Sequence, residues 1–319
     1  MKLKRKKIVI ITLSLITILA LGFKIYIEID NAVYNKSIKQ MIANKELTSP
    51  IESLIEHKIL KMDGYEVHYN ILGNRENDLI IFLHPAFSDH RAFNLQLEYF
   101  SQYYKVITID LVGHGLSKAN KSKDKIDASS EHIRKILEIE GSDKAHLVGV
   151  SMGSLIAQYF ALAYPKKIKS LVALGGYNIN KENKEVAKAQ RSSNFNLIIR
   201  AIFSMDSFRK KIAEITCKSQ KGRALFYESA SLYDRKSFMV MAGLENLIKN
   251  RKDIEPKYPL LILTGEYDID LATKMAKEWH AEAGNSMYYT IRNAGHCANI
   301  DNPIEFNKVV KEFIDKNSN

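Results

Sequence analysis

From residue 58 to the C-terminus, short apolar runs alternate with stretches of helical periodicity. The runs are Leu79–Leu83 (LIIFL), Lys105–Ile109 (KVITI), Ala145–Val150 (AHLVGV), Lys169–Leu174 (KSLVAL), Leu260–Leu263 (LLIL) and Met287–Ile291 (MYYTI). Runs this short, apolar nearly throughout and bounded by turn residues, suit strands buried on both faces of a parallel sheet. Ahead of them, Lys58–Met62 and Tyr65–Leu72, joined by Asp63-Gly64, predict a hairpin. Between the runs, helices are predicted over Arg91–Tyr104, Ala128–Glu140, Met152–Tyr164, Ala272–Ala283 and Pro303–Lys316. The alternation implies an α/β fold, a doubly wound, mostly parallel sheet with right-handed crossovers. Such a sheet binds ligands outside the carboxyl ends of its strands. Residues 177–257 break the rhythm. They hold helical stretches, Phe195–Met205 and Ala224–Ile248, and predict a helical cap inserted over that edge.

The N-terminus follows a different pattern. Lys2, Lys4, Arg5, Lys6 and Lys7 precede Ile8–Phe23, which is uncharged and almost wholly apolar. As a helix this run spans roughly 24 Å, against a bilayer core of about 30 Å. Lys24 can snorkel, and Ile25, Tyr26 and Ile27 extend the apolar face. The expectation is an uncleaved signal anchor, a transmembrane helix that leaves its basic flank in the cytoplasm and the folded domain outside. Ala20-Leu21-Gly22 keeps a cleaved signal peptide open as the alternative. The expected organisation is an anchor over residues 1–28 and a polar, helix-prone stalk over 29–55. An α/β core follows, from 56–176 and 258–319, with the cap at 177–257.

Composition narrows the class. The chain has 319 residues, 46% hydrophobic and 26% charged, which is ordinary globular usage. The net charge of +11 is uneven. It concentrates in residues 2–7 and in 181–257, where 17 Lys and Arg face 9 Asp and Glu, and the remainder is close to neutral. No nucleic-acid recognition motif accompanies the basic residues, so no nucleic-acid partner is expected. A solvated face accounts for the basic middle segment, with an acidic cell-wall or membrane surface as the alternative. Cys217 and Cys297 are the only cysteines and read as free thiols. No metal-ligand spacing occurs, so no metal or cofactor is implied.

The candidate chemistry sits at the ends of the apolar runs. Gly149-Val150-Ser151-Met152-Gly153 fits G-x-S-x-G, with a strand before it and an apolar helix after it. That motif needs a sharp turn lifting the serine hydroxyl above the sheet, with glycines where strand and helix pack close. A serine that only caps the following helix is the plainer reading of the motif alone. His84-Pro85-Ala86-Phe87 follows LIIFL, and Asp110-Leu111-Val112-Gly113-His114-Gly115-Leu116-Ser117 follows KVITI. Gly265-Glu266-Tyr267-Asp268 follows LLIL, and Asn293-Ala294-Gly295-His296 follows the last run, ahead of the terminal helix.

As an ordered set, from about Lys58 to Phe313, these motifs resemble the α/β-hydrolase fold family, in its serine-nucleophile, esterase- and lipase-like branch with a helical cap. The resemblance implies a catalytic triad of Ser151 as nucleophile, His296 as base and Asp268 as the acid orienting the base. Asp270 and Glu266 are the rivals for the acid. It implies an oxyanion hole from the backbone N–H groups of Ala86 and Met152. The family usually has glycine where Pro85 stands, and a stiffer loop there would move the donor to Phe87. His84 and the Asp110–Ser117 loop read as structural. Phe87, Phe226 and Met239 are candidate substrate-binding residues. Among the other cap aromatics and methionines, Phe195, Phe203, Tyr227, Tyr233, Phe238 and Met241 would line an apolar pocket or pack the cap onto the body.

The family also contains epoxide hydrolases and haloalkane dehalogenases with an aspartate nucleophile, and Ser151 argues against those. The expected activity is hydrolysis of a small-molecule carboxylic ester through an acyl-enzyme. Lactone, peroxyacid or C–C bond hydrolysis is the alternative chemistry, and a non-catalytic surface protein on a hydrolase scaffold is the alternative class.

Overall fold

The structure, a computed structural model, describes residues 2–43, 52–119, 123–181, 185–186, 197–248 and 257–318. One long helix, α1 (Lys2–Ala43), precedes the hairpin of β1 (Glu56–Met62) and β2 (Tyr65–Leu72). Then come β3 (Leu79–Leu83), α2 (Asn94–Ser101), β4 (Lys105–Ile109), α3 (Ser129–Ile139), β5 (Ala145–Val150), α4 (Met152–Ala163) and β6 (Ile168–Leu174). The cap contributes helical residues 197–203 (α5), α6 (Met205–Thr216), α7 (Gln220–Ser229), α8 (Phe238–Met241) and α9 (Leu244–Ile248). The core resumes with β7 (Leu260–Gly265), α10 (Asp270–Glu282), β8 (Ser286–Ile291), α11 (Ala298–Asp301) and α12 (Pro303–Asp315).

The strands form one eight-stranded sheet in the order β1-β2-β4-β3-β5-β6-β7-β8. The β1–β2 and β2–β4 pairs are antiparallel, and the rest are parallel. Alternation along each central strand divides its side chains between two cores. Ile80 and Phe82 of β3 enter one, with Val148, Val172 and Leu261. Leu79, Ile81 and Leu83 enter the other, with Ile107, Leu147 and Leu171. Burial of both faces is why these strands are apolar without alternation. The order places β5 at the centre, so the loops that follow β3, β5, β6, β7 and β8 share one edge.

Two details differ from the expectation, the first of them in the cap. Ala224–Ile248 is not one helix. Asp234 accepts from the N–H groups of Lys236 and Ser237 and so starts a new turn, and Gly243 interrupts before α9. A capping carboxylate satisfies the orphan donors of a fresh N-terminus, which favours a break over continuation. Phe195 lies outside the described residues.

The second difference concerns the expected stalk. Helix α1 runs through the anchor and most of the stalk, and from Phe23 onward one of its faces docks on the cap. Phe23 packs edge-on against Phe203 with ring centroids 5.7 Å apart, and Tyr34 packs against Tyr227 at 5.6 Å. Asn31 Nδ2 donates to Ser204 Oγ at 3.1 Å, and Ile27 and Ile38 are buried. Among the described residues no helix is long and apolar enough to cross a membrane. Within the apolar run of the expected anchor, residues 8–23, the side chains of 8–11, 13, 15 and 16 lie outside those the structure describes.

Candidate active site

Ser151 sits on the turn between β5 and α4 with φ 50° and ψ −115°. A non-glycine residue held there costs about 1–3 kcal/mol and persists only when its surroundings enforce it. The enforcement is visible. Ser151 N donates to Leu174 O at 2.7 Å, while Ser151 O accepts from Ser154 Oγ at 2.6 Å and Ser154 N at 2.9 Å. Close packing completes it, because a Cβ on Gly149 would overlap the Gly153 backbone and one on Gly153 would overlap the Leu83 carbonyl. The elbow is therefore wedged against the end of β3.

His296 arrives from the loop after β8. Its Nδ1 lies 2.6 Å from Asp268 Oδ1, and the same oxygen accepts from Ile269 N at 2.7 Å. Both side chains are buried. Asp268 is fixed by the turn after β7, where Tyr267 N donates to Ala294 O at 2.8 Å and Asp268 N to Gly265 O at 3.1 Å. Of the two rival carboxylates, Asp270 is exposed, and Glu266 is exposed and accepts from Asn293 N at 2.8 Å. Burial opposes charge on His296, but the Asp268 carboxylate's charge and hydrogen bond together outweigh it and raise the imidazole pKa above its usual value. The ring stands over Gly175, where a Cβ would come within 2.7 Å of Cε1. Gly175 follows the residue that accepts from Ser151 N, so hydroxyl and imidazole share one corner of the site. Among the described residues no hydrogen bond yet joins them; such bonds are often long in ligand-free sites.

The residues expected to form one side of an oxyanion hole lie on the loop after β3. His84 Nδ1 lies 2.8 Å from Pro85 O, and His84 Nε2 accepts from Leu111 N at 3.0 Å. These contacts fix the tautomer and tie the loop to β4. Phe87 has φ 69°, a left-handed conformation rare for an aromatic residue. Among the described residues the N–H groups of Ala86, Phe87 and Met152 donate to no protein acceptor. Met152 N is the first amide of α4, where the helix favours negative charge.

The aromatic face of Phe87 meets the cap. Its ring lies 5.1 Å from Phe208, 5.2 Å from Tyr233 and 6.0 Å from Phe238. The other two expected substrate contacts lie elsewhere. Phe226 is fully buried in the core between cap and body, and Met239 is 58% exposed.

Sequence reading missed the polar brace behind this loop. Asp110 Oδ1 accepts from His90 N at 2.9 Å and Nδ1 at 2.7 Å, and Oδ2 accepts from Leu116 N at 2.8 Å. Asp89 grips Arg91, whose Nη2 donates to Ser231 Oγ of the cap at 3.0 Å. Asp89, His90 and Asp110 bring potential metal-ligand atoms within 4.8 Å of one another, but these internal partners already occupy them. The adjacent charged triplet Asp89-His90-Arg91, directly after an apolar strand and loop, was the available signal.

A family model described as alpha/beta hydrolase fold matches residues 78–201. Epoxide hydrolase 4 of Mus musculus is 26% identical over 280 residues, covering 80% of this chain and 78% of its own. The (E)-2-((N-methylformamido)methylene)succinate hydrolase of Acinetobacter baylyi is 23% identical over 251 residues, covering 78% of this chain and 94% of its own. Among solved structures, the enol-lactonase from Burkholderia xenovorans superposes with a TM-score of 0.67 at 19% identity, covering 81% of this chain and 99% of that one. That likeness establishes the fold.

Proposed function

The chain belongs to the α/β-hydrolase fold family, and from that premise we propose that it is a serine hydrolase that cleaves carboxylic esters through an acyl-enzyme. The observation that carries the reading is Ser151, strained on its elbow beside the 2.6 Å Asp268–His296 pair. His296 Nε2 takes the hydroxyl proton as Ser151 Oγ attacks the ester carbonyl. The tetrahedral oxyanion is met by Met152 N–H and by an N–H of the Ala86-Phe87 turn. Collapse expels the alcohol, which receives the proton from His296. Water activated by the same imidazole then releases the acid.

Several relatives are named epoxide hydrolases, but an aspartate serves as nucleophile in such enzymes and serine stands at the elbow here. Lactone and C–C bond hydrolysis use the same serine chemistry and remain the competing reactions. A fluorophosphonate probe tests the reading first: folded protein should be labelled on Ser151, and an unlabelled Ser151 would refute it. A panel of p-nitrophenyl esters of graded acyl length, run beside lactones and a C–C substrate, then ranks the reactions by kcat/KM. Lactone or C–C turnover well above every ester would replace the ester assignment.

The proposal includes location. The basic flank and uncharged run of residues 2–23 support a single-pass anchor with the catalytic domain outside the cell. Fractionation with protease shaving tests it, and a domain protected in intact cells would overturn the outward orientation.

A further inference from the structure

We propose that the cap itself rests on the lipid surface, with the outer face of α5 and the free face of α1 forming one continuous apolar contact, so that the enzyme draws its ester substrate from the lipid phase. This rests on the membrane anchor proposed above.

The face of α1 that docks on the cap carries Phe23, Ile27, Asn31, Tyr34 and Ile38. The opposite face carries Ile18, Leu21, Ile25 and Ile29, spaced three or four residues apart, flanked by Leu19 and Tyr26, and all are exposed. A helix fixed to a water-soluble domain should present polar residues on its free face. Here the central stripe of that face stays apolar down to Ile29, which is 64% exposed, roughly 9 Å of helix beyond Phe23, with the exposed Lys24–Glu28 pair along its border.

The cap continues this surface. Ile198 and Ile202, four residues apart on α5, are exposed, the latter by 63%. Phe203 is also partly exposed where it meets Phe23. The inner face of α5, Leu197 and Ala201, is buried in the core that also holds Phe208 and Tyr233, the residues against Phe87. One short helix thus separates the aromatic wall beside the oxyanion loop from the exposed apolar patch. Contiguous apolar patches on otherwise soluble domains mark interaction sites.

Two features favour lipid as the occupant over a second copy of the chain. Residues 8–23 carry no charge on any face of the helix, so they need apolar surroundings all round, and a partner chain covers only one side. Helix α1 is also unbroken from Lys2 to Ala43, so that environment is continuous with the patch.

The experiment uses full-length protein reconstituted in phosphatidylcholine–phosphatidylglycerol vesicles containing brominated acyl chains. An environment-sensitive fluorophore is attached in turn through I25C, I198C, I202C and I304C. The native thiols, Cys217 and Cys297, are buried and do not compete. Ile304, 84% exposed at the start of α12, is the reference surface site. The expected result is a blue-shifted, quenched label at 25, 198 and 202, and an unaffected label at 304. Quenching at 25 but at neither 198 nor 202 overturns the cap contact and leaves the anchor intact. No quenching at 25, 198 or 202 overturns both. Equal quenching at 202 and 304 reports indiscriminate adsorption and also overturns it. Fluorophosphonate reaction of each labelled protein identifies any variant that has failed to fold, and sites 198 and 202 substitute for each other.

Discussion

Replacing Asp268 by asparagine tests the proposed base and its electrostatics together. Asparagine keeps the shape but offers two poor choices. With its NH2 toward His296, it faces a ring nitrogen that must then accept, so the imidazole proton moves to Nε2 and the ring cannot take the Ser151 proton. With its oxygen toward His296, the NH2 occupies the place of Oδ2, which is buried and makes no hydrogen bond. Loss of an orienting carboxylate in other serine hydrolases costs about four orders of magnitude. The expectation here is a fall in kcat/KM of roughly 10³–10⁴, or about 4–5.5 kcal/mol of transition-state stabilisation. The pH profile gives a second, independent signature. In the unmodified protein burial lowers the His296 pKa, and Asp268 more than restores it. Activity needs the neutral imidazole, so kcat/KM should rise with pH along a limb centred above the ordinary imidazole value of about 6.5. In D268N burial acts alone, and the limb should move below that value. The assay is steady-state hydrolysis of the preferred p-nitrophenyl ester across the range in which histidine titrates. A D268N enzyme within tenfold of the unmodified one, or one whose limb stays in place, would refute the reasoning. D270N is the matched control and should retain full activity, since Asp270 is exposed.

Other expectations follow from the same geometry. The Asp268–His296 interaction raises the folded imidazole pKa, so its contribution to stability is complete below the unfolded value and is lost as pH rises through the folded one. Denaturant titrations of unmodified protein and D268N should therefore differ most in mildly acidic buffer and converge in alkaline buffer. G153A should destabilise the fold by about 1–3 kcal/mol or more, because the new methyl meets the rigid Leu83 carbonyl; an unchanged urea midpoint would contradict that. Burial pushes the Cys297 thiol pKa up, with Cys217 beside it adding to the effect. Neither thiol should react with a disulfide reagent in native protein, and two should react in denaturant.

Much of this site was legible because its parts obey local rules. A buried parallel strand must be apolar on both faces, so the runs at 79–83, 105–109, 145–150 and 260–263 announced themselves, and the residue after each run falls on one sheet edge by topology. Gly149 and Gly153 could be read for the same reason: the elbow brings backbone against backbone, and only a missing side chain permits it. The cap was harder. Its short helices are divided by side-chain caps such as Ser204, Ser219 and Asp234, and serine or aspartate inside an amphipathic stretch reads equally well as solvent-facing helix. The docking of α1 was not legible either. Residues 29–43 look polar in bulk, and the stripe of buried Asn31 and Ile38 with half-buried Tyr34 has a recognisable partner only once α6 and α7 are in place.

Phe87 connects these two levels. Pro85 in place of the usual glycine restricts the loop at one end, and two residues later a phenylalanine takes up a left-handed backbone that a glycine would adopt without strain. The strain is sustained by what its ring meets, namely Phe208, Tyr233 and Phe238, all from the cap. The conformation of the loop expected to carry an oxyanion donor is therefore held in part by residues more than a hundred positions away, in the element that also bears α1 and the exposed face of α5. Any displacement of the cap must loosen that ring and with it the turn that presents the Ala86 and Phe87 amides. The packing of the cap and the shape of this loop are in this way tied to the same three ring contacts.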